Sequence, residues 1–115
     1  MEPFRAAAIA SVPLSPPTRK NSILGEPFES FTELWSRDDA KVQVGIWECT
    51  PGSFLTERSG TDEIVYIVSG RGRLVSDDGV ETEHAAGDVL VIPDGFKGVW
   101  HIHETIRKVY VGSSS

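Results

Sequence analysis

The chain has 115 residues, of which 39% are hydrophobic and 24% charged, a composition typical of a globular protein with one hydrophobic core. Its formal net charge of −6 argues against a nucleic acid or a membrane surface as partner, because both require a basic face. One cysteine excludes an intrachain disulfide and gives no sign of an oxidising compartment, so we expect a cytoplasmic protein.

The sequence predicts three segments of different character. Residues 1–30 contain Pro13, Pro16 and Pro17 and are expected to form an extended N-terminal arm, able to pair with an edge strand of its own or a partner chain. Residues 31–111 carry the folded β domain, and the Gly- and Ser-only tail 112–115 is expected to be flexible.

The part of the chain from Phe31 onward alternates short apolar runs with turns rich in Gly, Pro and Asp. No segment has helical periodicity, and Thr50 to Ser53 and Arg58 to Asp62 are predicted as a turn and a loop. Many short strands with regular turns are typical of a sandwich or barrel. The predicted strands are residues 31–35, 41–49, 63–69, 73–76, 80–84, 89–92, 99–104 and 105–111.

Two motifs within this region have a defined spacing. Gly87 is followed by five residues, then Pro93, one residue and Gly95, while Glu63 is followed by six residues and then Gly70. Together they resemble the two motifs of the cupin superfamily (RmlC-like). Within it, the chain is similar to small single-domain cupins of the (S)-ureidoglycine aminohydrolase and ethanolamine-utilisation type.

The resemblance covers roughly residues 31–111 and implies an all-β fold. It implies a double-stranded β-helix, that is a jelly-roll barrel, with a ligand cavity between its sheets and a homodimeric assembly.

The resemblance also implies where a metal centre would lie. Metal-binding cupins use two histidines and a glutamate from the first motif and one histidine from the second. Here only the glutamate is present, as Glu63, and we therefore expect no metal centre and no cofactor. The histidine positions fall on Glu57 and Ser59, or on Thr56 and Arg58, and finally on Gly98.

Alternation along the strands predicts which side chains face the barrel interior. His101 and His103 then point outward, His84 is expected to be solvated, and Gly98 is expected to leave space inside. The predicted inner face consists of Glu63, Val65, Ile67, Trp100, Ile102 and Glu104, with Trp47 and Cys49 also inward if Gly45 marks a close approach of backbones.

A cavity walled by aromatic rings, with carboxylates and cations at its floor and mouth, follows from this face. The predicted ligand-binding residues are Trp47, Arg58, Glu63, Lys97, Trp100, Glu104, Lys108 and Tyr110. Simpler roles are open for several of them. Glu63 can pair with Arg58 or Lys108, Glu104 can pair with Lys108, both tryptophans can be core, and Cys49 is expected to be an inert buried thiol.

The sequence leaves three functions open. The first is a protein that binds a small polar metabolite in the cavity without the usual cupin metal. The second is an enzyme, aminohydrolase-like or of other small-molecule cupin chemistry, with Glu63 as general base or retained metal ligand and Lys97 or Arg58 holding a carboxylate. The third is a purely structural domain whose cavity is packed shut by Trp47 and Trp100.

Overall fold

The computed structural model describes residues 2–114, which form eight β-strands and one short helix. No helix in this range is long and apolar enough to cross a membrane. The elements are α1 (Ala6–Ser11), β1 (Thr18–Arg19), β2 (Phe28–Ser36), β3 (Val42–Cys49), β4 (Gly52–Glu57), β5 (Thr61–Ser76), β6 (Glu81–Ala85), β7 (Val89–Ile92) and β8 (Lys97–Ser114).

Strands β5 and β8 are long, pair antiparallel with each other, and are each shared by two sheets. Residues 97–102 of β8 lie between β4 and the second half of β5, whereas residues 106–113 lie between β3 and the first half of β5. Strands β6 and β7 extend the sheets beyond β5, and β2 and β1 extend them beyond β3. This all-β arrangement of two sheets confirms the predicted jelly roll.

A bend in β5 and β8 takes the two strands from one sheet to the other. The register shifts repeatedly between Ile67 and Gly72. Gly70 has a φ of +87°, and a Cβ there would lie 2.0 Å from the carbonyl oxygen of Thr105, so only glycine fits this crossing. The sequence predicted each long strand as two shorter ones, because the residues at the bend have the composition of a turn. In the structure, β5 and β8 remain paired on both sides of the bend.

The core follows the period of two expected for half-buried strands. In β5, Val65 and Ile67 are fully buried, while Ile64 and Tyr66, which alternate with them, face outward. Each large apolar side chain removed from water contributes roughly 1.5–3 kcal/mol to stability. The core cluster comprises Cys49, Phe54, Val65, Ile67, Leu74, Leu90, Ile92, Trp100, Ile102 and Ile106.

Three local predictions differ from the structure. Strand β4 was missed, because Pro51 and Gly52 have the composition of a turn and the apolar run after them is short. The N-terminal segment is not extended throughout: it contains α1, and Arg107 donates to the carbonyls of Ile9 and Val12 at 3.0 and 3.3 Å. At the other end β8 runs to Ser114, and Ser115 lies outside the described residues, as does Met1.

The prediction that the N-terminal segment pairs with an edge strand is confirmed within this chain. Thr18 and Arg19 pair with Glu29 and Phe28 of β2. The backbone N–H of Lys20 donates to the carbonyl of Pro27 at 2.9 Å, which continues the contact toward the barrel mouth.

Candidate functional site

A cavity of about 370 Å³ opens between the two sheets at one end of the barrel. Strands from both sheets contribute its wall, because β2 and β3 belong to one sheet, β4 to the other, and β5 and β8 to both. The lining residues are Lys20, Glu29, Phe31, Trp47, Phe54, Leu55, Thr56, Glu57, Arg58, Glu63, Trp100, Lys108 and Tyr110.

Aromatic rings form the apolar part of this wall. Trp47 of β3 and Trp100 of β8 are stacked, with ring centroids 5.6 Å apart and an interplanar angle of 28°. The ring centroid of Phe54 lies 6.2 Å from those of both tryptophans; Phe54 pairs directly with Trp100 in one sheet and faces Trp47 of the other. Although the two tryptophans pack on each other, the cavity remains open in front of them, so the expectation of a barrel packed shut is not met.

Glu63 lies at the centre of the polar floor and is held by two cations. Lys108 Nζ donates to Glu63 Oε2 at 2.7 Å, and Arg58 Nε donates to Glu63 Oε1 at 2.8 Å, with Arg58 Nη2 donating to the same oxygen. The Glu63 and Lys108 side chains are 8% and 5% exposed, and that of Arg58 is 25% exposed. Glu63 therefore pairs with both Arg58 and Lys108, the two partners that the sequence offered as alternatives.

The Lys108 ammonium also lies against the tryptophan rings, 4.6 Å from the centroid of Trp47 and 4.8 Å from that of Trp100. Attraction between a cation and the ring faces offsets part of the cost of burying the charge. Burial lowers the pKa of Lys108, and the adjacent Glu63 carboxylate opposes that shift. The floor is thus a buried ionic cluster with an aromatic wall.

The pKa of Glu63 is lowered from its ordinary value. Burial alone raises it, but the charges of Lys108 and Arg58 and their hydrogen bonds outweigh burial. A general base working near neutral pH needs the opposite shift. The direction of this shift therefore does not favour the general-base alternative for Glu63.

A second charged pair lies nearer the mouth. Glu29 of β2 accepts a hydrogen bond from Trp47 Nε1 at 2.9 Å, and Lys20 Nζ lies 3.5 Å from its other carboxylate oxygen. Lys20 also lies over the ring of Phe54, 4.6 Å from its centroid. The N-terminal segment therefore supplies a cation and one edge of the cavity.

Two hydroxyl groups complete the polar lining. Thr56 is 4% exposed, and its Oγ1 has no hydrogen-bond partner among residues 2–114. Tyr110 reaches over Gly45, where a Cβ would lie 2.3 Å from the Tyr110 hydroxyl oxygen. The nearest neighbour of Gly45 is thus a side chain, with the backbone oxygen of Thr32 next, while Trp47 lines the cavity and Cys49 is buried, in agreement with their predicted inward orientation. Burial raises the pKa of Tyr110.

The structure brings six of the eight predicted binding residues together and leaves two outside. Lys97 is exposed at the start of β8 and does not line the cavity. Glu104 lies at the bend of β8, where its 62% exposed side chain pairs with Arg71, so the predicted pair with Lys108 is wrong. The six residues that line the cavity are Trp47, Arg58, Glu63, Trp100, Lys108 and Tyr110.

Several lining residues were not predicted. Thr56 and its neighbours lie in β4, the strand that was missed, and the short run Phe54, Leu55 and Thr56 is the weak strand signal there. Lys20 and Glu29 reach the cavity through long-range pairing of the N-terminal segment, for which the sequence holds no local signal. The residues missed are Lys20, Glu29, Phe31, Phe54, Leu55, Thr56 and Glu57.

The histidines lie outside the cavity lining. His103 is exposed, and His101 Nδ1 lies 2.7 Å from Ser53 Oγ, in keeping with their predicted outward direction. The prediction that His84 is solvated is wrong, because it is 4% exposed and its ring packs edge-on against Trp100.

Cys49 is fully buried in the core, with Sγ 3.4 Å from the carbonyl oxygen of Thr50. Burial raises its pKa to about 12, so the thiol remains protonated at physiological pH. This agrees with the expected inert thiol.

The residues at the cupin metal positions do not fit a metal centre. Both oxygens of Glu63 are bonded to cations, and a Cβ at Gly98 would lie 2.3 Å from the carbonyl oxygen of Val75. The sequence predicted that Gly98 leaves space inside the barrel. This prediction is wrong, because Gly98 fits tightly against β5. Among residues 2–114, no group of three or more His, Cys, Asp and Glu side chains is arranged to hold a metal ion.

An antiparallel jelly roll with a ligand-sized cavity between its sheets is the architecture of small cupins, among other jelly-roll proteins. The sequence model of the EutQ-like cupin domain matches residues 36–110, and the chain belongs to this family. No curated protein sequence matches the chain.

Solved structures with the same fold include EutQ of Clostridium difficile, which is 21% identical, with a TM-score of 0.66 over 76% of this chain and 69% of that one. A DUF861-family protein of Pseudomonas syringae is 20% identical, with a TM-score of 0.78 over 89% of this chain and 45% of that one. Ectoine synthase of P. lautus is 17% identical, with a TM-score of 0.68 over 75% and 64% of the two chains. At these identities the likeness shows the fold alone.

Proposed function

We propose that this cupin binds a small polar metabolite in the cavity of its barrel without a metal ion. The single observation that carries the proposal is the open cavity of about 370 Å³, which has an ionic floor and an aromatic wall. Concave, partly apolar sites with a few convergent polar groups are the usual form of small-molecule pockets.

The charged groups of the floor support binding without a metal. In this cavity Lys108 supplies a buried positive charge beside Glu63, and Arg58 supplies a second. Together they leave the floor with one more positive than negative charge. A ligand can therefore be held by hydrogen bonds and charge from side chains already in place.

A tryptophan reporter makes the proposal testable. The chain has three tryptophans, of which Trp47 and Trp100 line the cavity and Trp35 is 52% exposed outside it. In a Trp35→Phe variant all tryptophan emission therefore comes from the cavity wall. We expect a thermal-shift screen of small anionic, neutral and cationic metabolites to give compounds that raise the melting temperature and also change this emission.

The wild-type protein is the control for the reporter and should show the same melting shifts. Compounds that raise the melting temperature while the emission of the Trp35→Phe variant stays constant bind elsewhere and contradict the proposal. A screen in which no compound stabilises the protein contradicts it as well.

An enzymatic function is the second candidate, supported by the resemblance and by the placement of Glu63 inside the cavity. Its weak point is the lowered pKa of Glu63, which keeps the carboxylate ionised and paired with Lys108. Any turnover should disappear in Glu63→Gln if the carboxylate acts on the substrate. Unchanged turnover in that variant removes Glu63 from the chemistry.

We further propose that the protein is a homodimer formed through the outer face of β5 and β7. Ile64 and Tyr66 are 50% and 47% exposed, and Val89 and Val91, directly opposite them, are 63% and 65% exposed. Contiguous exposed apolar side chains on a sheet next to an edge strand mark an interaction surface. A second copy can bury the same patch against itself, as two-fold symmetry requires.

Light scattering after size exclusion tests the dimer. The wild type is expected to have twice the mass of the chain at micromolar concentration, and Val91→Glu is expected to have the mass of one chain. Lys97→Gln changes an exposed residue that is not one of these four apolar side chains, and it is the control that should remain dimeric. A wild type that is monomeric at these concentrations contradicts the assembly.

We place the protein in the cytoplasm. The support is the single cysteine, which is buried, together with the acidic composition of the chain.

A further inference from the structure

The floor of the cavity is formed by Glu63, Lys108 and Arg58. It has more positive than negative charge, and it has more hydrogen-bond donors than acceptors to receive them. Glu63 carries one negative charge, and Lys108 and Arg58 carry two positive charges around it. Lys20 and Glu29, nearer the mouth, balance each other, and the exposed Glu57 makes the lining as a whole neutral, so the excess positive charge is confined to the floor. A buried excess of positive charge is unfavourable until an anion joins it.

Donors without acceptors are found at the same place. An ammonium group has three N–H donors. The hydrogen bond that Lys108 makes goes to Glu63 Oε2, and the ring faces of Trp47 and Trp100 lie near its nitrogen. The ammonium therefore has donor capacity that the described residues do not use.

Thr56 adds an independent observation. Its hydroxyl is in the cavity lining, the residue is 4% exposed, and Oγ1 has no hydrogen-bond partner among residues 2–114. A buried hydroxyl without a partner is destabilising, so such groups are rare unless a ligand or water completes them.

We propose that the ligand of this cavity is a small organic monocarboxylate, held by the Lys108 ammonium, the Arg58 guanidinium and the Thr56 hydroxyl. The two cations of the floor favour an anionic group there, and a carboxylate has two oxygens that can accept from the unused Lys108 N–H donors and from the Thr56 hydroxyl in the same lining. The body of the acid lies against the apolar wall that Trp47 and Phe31 provide. This inference depends on the proposed binding function, because it names the ligand class of the same cavity.

The test uses sets of compounds that share a shape and differ in charge. The sets are benzoate, benzamide and benzylamine, and propionate, propionamide and propylamine, titrated into the Trp35→Phe reporter at low salt. We expect at least one acid to bind ten times more tightly than its own amide, and the amines to bind more weakly than the amides.

Two substitutions locate the carboxylate. Thr56→Val keeps the shape and removes the unpartnered hydroxyl, and Arg58→Gln removes one cation at a partly exposed position. Each is expected to weaken acid binding by three- to tenfold and to leave amide binding within twofold. Lys97→Gln removes a cation outside the cavity and is the matched control, expected to leave both affinities unchanged.

The outcomes separate this inference from the proposed function. Amides or amines that bind as tightly as their acids overturn the monocarboxylate and leave a small-molecule cavity in place. The inference is also overturned if neither acid binds while the metabolite screen yields neutral or cationic ligands. If no compound of either experiment binds, both the ligand class and the proposed function fail. Acid binding that is equal in wild type and Thr56→Val contradicts the role of that hydroxyl.

Discussion

Lys108 Nζ lies 2.7 Å from Glu63 Oε2 inside a barrel of the EutQ-like cupin family. Both side chains are almost fully buried, at 5% exposed for Lys108 and 8% for Glu63. The pair places a protein cation in the cavity, against the stacked rings of Trp47 and Trp100. Its consequences for stability and binding can be measured.

Glu63→Gln removes the negative charge and leaves Lys108 buried with only Arg58, another cation, nearby. Breaking a buried ion pair by removing one partner costs about 3–5 kcal/mol. We therefore expect a loss of about that size in the free energy of unfolding, measured by urea denaturation. A second substitution, Lys108→Met in the same chain, should restore most of the loss because it removes the unpaired charge.

The control for this prediction is Glu104→Gln. Glu104 and Arg71 form a pair in which both side chains are more than half exposed. Exposed pairs contribute about 0–1 kcal/mol, so this variant should unfold close to wild type. Similar losses in Glu63→Gln and Glu104→Gln would mean that the cavity pair is not a buried one.

His84 gives the protein a pH-dependent stability in the mildly acidic range. Its Nδ1 lies 3.1 Å from the carbonyl oxygen of Thr82, which can only accept, and its Nε2 accepts from Trp100 Nε1 at 3.1 Å. The ring is therefore the neutral tautomer with the proton on Nδ1. Burial lowers the pKa of His84 from its ordinary 6.5, although the bond to Thr82 opposes the shift.

The direction of this pH dependence follows from the number of protons that His84 binds in the folded and in the unfolded chain. Below pH 6.5 the unfolded chain binds a proton at His84 that the folded chain does not, so stability falls as pH decreases until the lowered folded pKa is reached. His84→Gln should be less stable at pH 7 but show a smaller fall between pH 7 and 5. His101, whose pKa is also lowered by burial, leaves a residual slope in both proteins. Equal slopes in wild type and variant contradict the assignment.

Cys49 should be unreactive in the folded protein. The thiolate is the reactive form, and a pKa of about 12 leaves almost none of it at neutral pH. We expect negligible labelling by iodoacetamide over an hour in buffer and complete labelling in guanidinium, with mass spectrometry as the readout. Rapid labelling of the folded protein would place the thiol in an accessible, activated position.

Gly70→Ala tests the bend of the barrel. Gly70 and Gly79 have nearly the same φ, +87° and +88°, but a Cβ meets the Thr105 carbonyl oxygen at 2.0 Å at the first and nothing within 4 Å at the second. Alanine at either position strains the backbone by about 1–2 kcal/mol, and only Gly70→Ala adds a backbone collision. We expect Gly79→Ala to fold with a modest loss and Gly70→Ala to lose considerably more, as measured by thermal unfolding. Equal losses contradict the tight crossing.

Much of the fold could be predicted from the sequence, because alternation and turn residues are local signals. The inward direction of Val65, Ile67, Trp100 and Ile102 followed from a period of two and is confirmed by their burial. The same rule misplaced Glu104, since it assumes a straight strand and β8 bends near that residue.

The cavity floor was harder to predict, because it depends on contacts between distant parts of the chain. The pairs of Glu63 with Arg58 and of Glu63 with Lys108 were raised as alternatives, but their combination in one cluster requires the loop after β4 to be placed together with β5 and β8. Lys20 comes from a segment with no strand signal of its own and reaches the site through pairing with β2.

Metal content tests the central claim directly. The claim is that the Lys108 ammonium, and not a metal ion, is the cation buried beside Glu63, and that the cavity binds its ligand without a metal ion. Elemental analysis of untagged protein, purified without chelators, should find iron, manganese, nickel and zinc well below one per chain. Adding each ion should leave the melting temperature unchanged. Near-stoichiometric metal, with a melting temperature that falls on chelation, would contradict the account and return the enzyme hypothesis to first place.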